Sequence, residues 1–135
     1  MSEPERTPVV LMADDSEDDR FFFRLALKKS GVRARLICAE DGQEAIEYFT
    51  HAGRFSDPAE FPVPDYMFVD LKMPRRNGFE VLEWLAARSP EVSFPIIVLS
   101  GSHEPADMQR ARELGADEYI VKPITEDVLR RIVSI

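Results

Sequence analysis

The chain has 135 residues, 44% of them hydrophobic, which suits one domain with a conventional core and excludes wholesale disorder. Twenty-five acidic residues against 17 basic ones leave a formal charge of −8, which disfavours direct binding to DNA or RNA. Cys38, the single cysteine, can form no internal disulfide, and no apolar run approaches the roughly 20 residues of a membrane span, so a reducing, cytoplasmic setting is expected.

Residues 1–7 lack the basic-then-apolar order of a secretory signal and read as a flexible leader to one domain over 8–135. The first apolar run is Val9-Val10-Leu11-Met12, of strand length. A helix is predicted from Ser16 to Ser30, with Ser16 as N-cap, Asp19 completing an approximate capping box and Gly31 as the stop. Its apolar stripe is read as Phe22, Phe23, Ala26 and Leu27. Leu36-Ile37-Cys38 is the second run, followed by a helix over Gln43–Thr50 carrying Ala45, Ile46 and Phe49. From His51 to Pro64 the pattern is irregular and rich in Pro, Phe, Asp and Gly, so a long loop is expected, either a partner-facing insertion or a surface excursion. The third run is Tyr66-Met67-Phe68-Val69, then a helix over Phe79–Arg88 with Val81, Leu82, Leu85 and Ala86. Ile96-Ile97-Val98-Leu99 precedes a helix over Ala106–Leu114 that stops at Gly115. Tyr119-Ile120-Val121 is the last run. The final helix opens at Thr125, carries Val128, Leu129 and Ile132 and reaches the C-terminus, leaving no room for an output domain.

Most runs are continuously apolar, as in parallel strands covered on both faces. Five such runs alternating with five helices predict a doubly wound α/β fold. Right-handed crossovers then bring the C-terminal ends of all strands to one edge, where such sheets bind ligands.

Chemistry-bearing residues sit at those ends. Asp14-Asp15 follow the first strand and Asp70 the third; carboxylates brought together repel and call for a cation. Hard oxygen ligands without nearby His or Cys select Mg²⁺ or Mn²⁺. Ser100-Gly101-Ser102, after the fourth strand, offer hydroxyls and an exposed backbone N–H, and Lys122-Pro123, after the fifth, offers an ammonium. Each has an ordinary reading alone: helix-start acids, a turn Asp, a turn hydroxyl, a solvated lysine. In register on successive strand ends they describe a phosphoryl site, with Asp70 the nucleophile that becomes an aspartyl phosphate and Lys122 offsetting charge on the phosphoryl oxygens. A calcium loop starting at Asp14 is excluded, because its sixth position is Asp19, not Gly, and its twelfth is Leu25, not Glu.

Asp14-Asp15, Val69-Asp70-Leu71-Lys72-Met73-Pro74, Asn77-Gly78, Ser100-Gly101 and Tyr119 leading to Lys122-Pro123 together resemble the receiver (CheY-like) domain of bacterial two-component response regulators, over about Val9–Ile135. The resemblance implies the flavodoxin-like (βα)5 fold with strand order 2-1-3-4-5 and phosphorylation of Asp70 by a sensor histidine kinase or phosphotransfer protein. It also implies Mg²⁺ held by Asp15, Asp70 and the Lys72 carbonyl, with Asp14 supporting directly or through water. By the same resemblance Lys122 pairs with the phosphoryl group and precedes a cis proline, Ser100 swings toward the phosphate, and Tyr119 rotates inward. Lys72 and Ser102 stand at positions that border attacking water. Ser100 replaces the family's commoner threonine and keeps the hydroxyl.

The long loop and the Ser16–Asp19 turn are similar to regulators of bacterial phytochrome-type kinases. Relatives dimerise through the fourth helix, fifth strand and fifth helix, so a homodimer there and an unknown downstream protein partner are expected, without DNA or membrane contact. Two readings compete. A haloacid-dehalogenase-like phosphatase also uses a strand-end Asp with Mg²⁺, but it needs a second Asp where Lys72 stands. A constitutive adaptor with a vestigial site is opposed by the intact acidic residues and Lys122.

Overall fold

A computed structural model describes residues 6–88 and 92–133. The elements are β1 (Val9–Ala13), α1 (Glu17–Ser30), β2 (Arg35–Ala39), α2 (Gly42–Thr50), a single 3₁₀ turn (Gly53–Phe55), β3 (Tyr66–Val69), α3 (Gly78–Ala86), β4 (Ile96–Ser100), α4 (Pro105–Glu113), β5 (Glu118–Val121) and α5 (Glu126–Ile132). The strands form one parallel sheet in the order β2-β1-β3-β4-β5, the doubly wound flavodoxin-like arrangement expected.

Burial explains the apolar runs. β1 and β4 are buried at every position, whereas the edge strands β2 and β5 are partly open. Alternation along each strand splits the interior into two cores. Leu11, Ala13, Met67, Val69 and Val98 face α2 and α3, meeting Ala45, Tyr48, Val81, Leu82 and Leu85. Val10, Met12, Phe68, Ile97 and Leu99 face the other way, against Phe23 and Leu27 of α1 and Leu129 of α5.

Several expectations change in detail. The α1 stripe is Phe23, Leu27 and Ser30; Phe22 is 60% exposed beside Phe21 at 56%, because it lies about 100° round the helix from Phe23. The capping box at Ser16 is one-sided. Ser16 Oγ accepts from the Asp19 N–H at 3.2 Å, but the Ser16 N–H donates to Asp14 Oδ1 at 2.9 Å, and the Asp19 carboxylate is drawn elsewhere by a full positive charge. The leader falls largely outside the described residues, and at its end Arg6 forks onto Asp65. Helix ends move by one or two residues: Asp41 caps α2, and α3 ends at Ala86. The expected run of α5 to the C-terminus ends at Ile132, and residues 134–135 lie outside those described.

Residues 51–64 run mostly over the surface, as the loop reading expects, but Phe55 and Pro64 are buried and anchor the segment to the domain. Phe55 is fully buried, 5.1 Å from the Tyr48 ring and 5.1 Å from Phe61, in edge-to-face contacts. The Tyr48 hydroxyl donates to the Pro62 carbonyl, and Arg54 reaches the Cys38 carbonyl at 2.6 Å and Glu44 at 2.9 Å.

Burial pushes the Tyr48 phenol up to about 12. The folded state therefore favours the neutral form; the stability this contributes is whole below the unfolded value near 10 and is lost as pH rises through 12. Tyr48→Phe removes that dependence. Denaturant unfolding across this interval should show wild type losing about 2 kcal/mol relative to the variant.

Candidate functional site

The sheet register sets the site. The Asp14 N–H donates to the Ala39 carbonyl at 3.0 Å and the Asp70 N–H to the Ala13 carbonyl at 2.9 Å, so the ladder carries one residue past β1 and β3 and fixes both acids by their backbones. One carboxylate oxygen from each of Asp14, Asp15 and Asp70 then falls within 4.8 Å of the others. Asp14 and Asp70 are buried and Asp15 is exposed. On the far side the Lys122 N–H donates to the Ser100 carbonyl at 2.8 Å, aligning the ends of β4 and β5. The Lys122-Pro123 bond is cis.

The β3–α3 turn folds back on the acid through Asn77-Gly78. Asn77 and Glu80 form a complete capping box, and the Gly78 N–H donates to the Leu71 carbonyl at 2.9 Å. A Cβ on Gly78 would lie 2.2 Å from the Asp70 carbonyl oxygen, so only glycine permits this approach.

Lys122 Nζ lies among three carboxylates: 2.7 Å from Asp19 Oδ2, 2.8 Å from Asp14 Oδ2 and 2.9 Å from Asp70 Oδ2. All three are ion pairs, and those to Asp19 and Asp70 are also hydrogen bonds. Burial alone would lower the ammonium's pKa, but the carboxylates of Asp14, Asp19 and Asp70 outweigh it and hold it above its ordinary value. Burial pushes the Asp14 carboxyl up, a shift that Lys122 and the Ser16 N–H only partly oppose.

Asp14 Oδ2 is wholly buried, makes no hydrogen bond of good geometry and has the Lys122 ammonium at 2.8 Å as its neighbour, so a divalent ion would compete with that ammonium for it. Hard oxygens, no imidazole or thiolate in the cluster and three like charges within 4.8 Å fit a divalent ion such as Mg²⁺ or Mn²⁺, with Asp14, Asp15 and Asp70 as its holders.

A cleft of about 410 Å³ opens over Asp70, lined among others by Lys72, Ser100, Gly101, Ser102 and Lys122. The Ser100 hydroxyl is buried and accepts from the Ser102 N–H at 3.2 Å. Ser102 Oγ donates to Asp107 in the first turn of α4 at 2.6 Å, and its carbonyl accepts from the Tyr119 hydroxyl at 2.8 Å. The Tyr119 ring packs against the buried cluster, so in this structure it already lies inward.

The sequence-predicted residues Asp14, Asp15, Asp70, Ser100, Gly101 and Lys122 therefore converge, with Lys72 on the rim and Tyr119 one hydrogen bond away. Asp19 went unassigned. Its place three residues after Ser16 suits a capping role, which hides it. The available signal was topological: the first turn of α1 starts at the strand edge where Lys122 emerges. His103 and Glu104, on the same cleft wall, carried no motif.

Residues 10–134 match the model of the response regulator receiver domain. The two-component response regulator ORR1 of rice is 31% identical over 125 residues, 91% of this chain and 52% of its own length, so this chain spans about half of that relative. The response regulator Rcp1 of Synechocystis is 29% identical over 123 residues, 90% of this chain and 82% of Rcp1; its Mn²⁺-bound crystal structure has a TM-score of 0.75 at 28% identity, covering 93% of this chain and 88% of that one. The phosphorylated cyanobacterial phytochrome response regulator RcpA has a TM-score of 0.78 at 27% identity, covering 95% of this chain and 89% of that one. With its acidic edge, lysine and strand order, the chain belongs to the response regulator receiver family.

Proposed function

We propose that this chain is a phosphorylation-switched binding module in which Asp70 accepts a phosphoryl group from a sensor histidine kinase, of the phytochrome type, or from a phosphotransfer protein. The observation that carries this reading is the convergence of the Asp14, Asp15 and Asp70 oxygens within 4.8 Å beside the Lys122 ammonium. The likeness to the phytochrome response regulator RcpA supports the phytochrome pairing.

An Asp70 carboxylate oxygen attacks phosphorus as the bond to the donor imidazole nitrogen breaks, and the imidazole leaves with the bonding electron pair. Lys122 exchanges carboxylate contacts for phosphoryl oxygens. A bound divalent ion, held by Asp14, Asp15, Asp70 and the Lys72 carbonyl, would supply neutralisation of charge on the transferring group. Ser100 Oγ and the Gly101 N–H stand on the cleft wall to receive the remaining oxygens.

The donor must approach over α1. Phe21 and Phe22, packed edge-to-face at 5.6 Å and more than half exposed, stand next to Asp19 and offer the kinase's histidine-bearing domain an apolar landing beside the acid. Output passes from Ser100 through Ser102 to Asp107 of α4 and to Tyr119. The downstream target is a protein, and β5, half-buried along its whole length, with α4 and α5 is the face for it or for a second copy of this chain. No helix of the described residues is long and apolar enough to cross a membrane, in keeping with work in the cytoplasm. A multiple-turnover phosphatase is disfavoured by Lys72, an ammonium where that chemistry needs an acid.

Incubation with acetyl phosphate and Mg²⁺ should label wild type on a single carboxylate, leave Asp70→Asn unlabelled and fail after chelation, read by intact mass. Labelling of both proteins would refute Asp70 as the acceptor, and sustained hydrolysis of a chromogenic phosphomonoester would favour the phosphatase. Asp14→Asn removes a buried charge that burial disfavours while leaving Lys122 with Asp19 and Asp70. In metal-free buffer at neutral pH it should be more stable than wild type in urea denaturation, and it should lose Mg²⁺ binding by calorimetry.

A further inference from the structure

Asp19 is the carboxylate nearest Lys122 Nζ, at 2.7 Å, and it comes from an element 103 residues away. It differs from the other two in a way that bears on its role. Asp14 and Asp70 belong to the trio whose oxygens share one 4.8 Å cluster, and Asp19 does not. Its side chain is 38% exposed, against 1% for Asp14 and 10% for Asp70. The Asp19 end of the pair is open to water, which limits what it adds to the stability of the fold. Asp19 thus has reach to the lysine, no place among the metal-holding oxygens and a limited structural role.

Lys122 has two tasks that conflict. Before phosphorylation its ammonium leans on Asp14 and Asp70, two of the carboxylates a divalent ion needs. Afterwards it must be beside Asp70 to meet the phosphoryl oxygens. A cation entering the trio repels the ammonium from Asp14 and Asp70. Without another partner nearby, the lysine must either block the ion or leave into solvent.

We infer that Asp19 is a positioning residue for Lys122: it holds the ammonium at the α1 side of the site while Asp14 and Asp70 turn to the divalent ion, and it then competes with the phosphoryl oxygens for the same ammonium. The inference rests on the phosphoacceptor reading above and adds a residue to it. Two effects of the Asp19 charge act in one direction on the metal: it attracts the ion, and it relieves the lysine's competition. Both act in the other direction on a bound phosphoryl group, which Asp19 repels and whose lysine it retains.

The Asp19→Asn chain should therefore show a split that no loss of structure produces. Calorimetric titration with Mg²⁺ should give roughly tenfold weaker binding than wild type. Titration with beryllofluoride at saturating Mg²⁺ should give binding tighter by about threefold or more. Asp19→Glu should move both affinities back toward wild type, and thermal unfolding of all three proteins should nearly coincide. Affinities equal to wild type, or two affinities falling together with the unfolding temperature, would overturn the inference. Wild type binding neither Mg²⁺ nor beryllofluoride would overturn the phosphoacceptor reading and this inference with it; wild type binding both while Asp19→Asn shows no split would overturn this inference alone.

Discussion

Three carboxylates about one ammonium, with a fourth, Asp15, beside two of them, are the constraint around which the rest of this molecule is arranged. Asp14, Asp15, Asp19 and Asp70 against Lys122 leave the site with a formal charge of −3, partly removed from water. Such a cluster resists assembly, since burial penalises each charge and each penalises the next. It forms because backbone hydrogen bonds of a parallel sheet, made regardless of side-chain charge, set the ends of β1 and β3 side by side. The apolar packing on both faces of the sheet stabilises the domain against that local cost, and the excess negative charge is what fits the site to a cation.

The surroundings of the site divide into held and movable parts. On the side of β2 and α2 contacts are tight. A Cβ on Gly42 would sit 1.9 Å from the Arg76 carbonyl oxygen, and Arg75, in a left-handed conformation at φ 64°, is forked onto Asp41 at 2.7 and 3.1 Å. The aromatic plug of Phe55, Phe61 and Tyr48 braces the same flank. On the side of β4 and β5 the connections are single hydrogen bonds converging on Ser102: its N–H to Ser100, its hydroxyl to Asp107, its carbonyl from Tyr119. A shift of the Ser100 hydroxyl toward an anion releases the first of these and disturbs the others.

Much of the fold was legible because its signals are local and agree. Continuous apolar runs such as Val9–Met12 and Ile96–Leu99 describe buried parallel strands, and helix stops such as Gly31 act within one turn. The site was legible in part for a different reason: topology forces strand ends together, so residues distant in sequence could be assigned a common place. What stayed hidden depends on side-chain competition across space. Asp19 was read through its spacing to Ser16, yet a full charge from β5 outbids a backbone N–H for its carboxylate. Phe22 matched a helical stripe, but only contact with Phe68, at 4.9 Å from Phe23, decides which of two adjacent rings faces inward. The segment 51–64 has no period at all, since its order comes from Tyr48 and Arg54 meeting carbonyls elsewhere in the chain.

In the proposed mechanism the same ammonium serves both states, and this limits what phosphorylation would have to do. In the resting arrangement Lys122 is already within hydrogen-bond reach of Asp70, so the switch exchanges its partners instead of recruiting a distant group. An exchange among short, charged contacts changes the balance between two arrangements that differ little in packed area, which suits an equilibrium controlled by one phosphoryl group. The acids that lose the lysine need compensation at that moment, and the divalent ion is the group able to supply it. On that reading metal and phosphoryl group would act on one charge balance, with the placement of Lys122 as the variable that couples them.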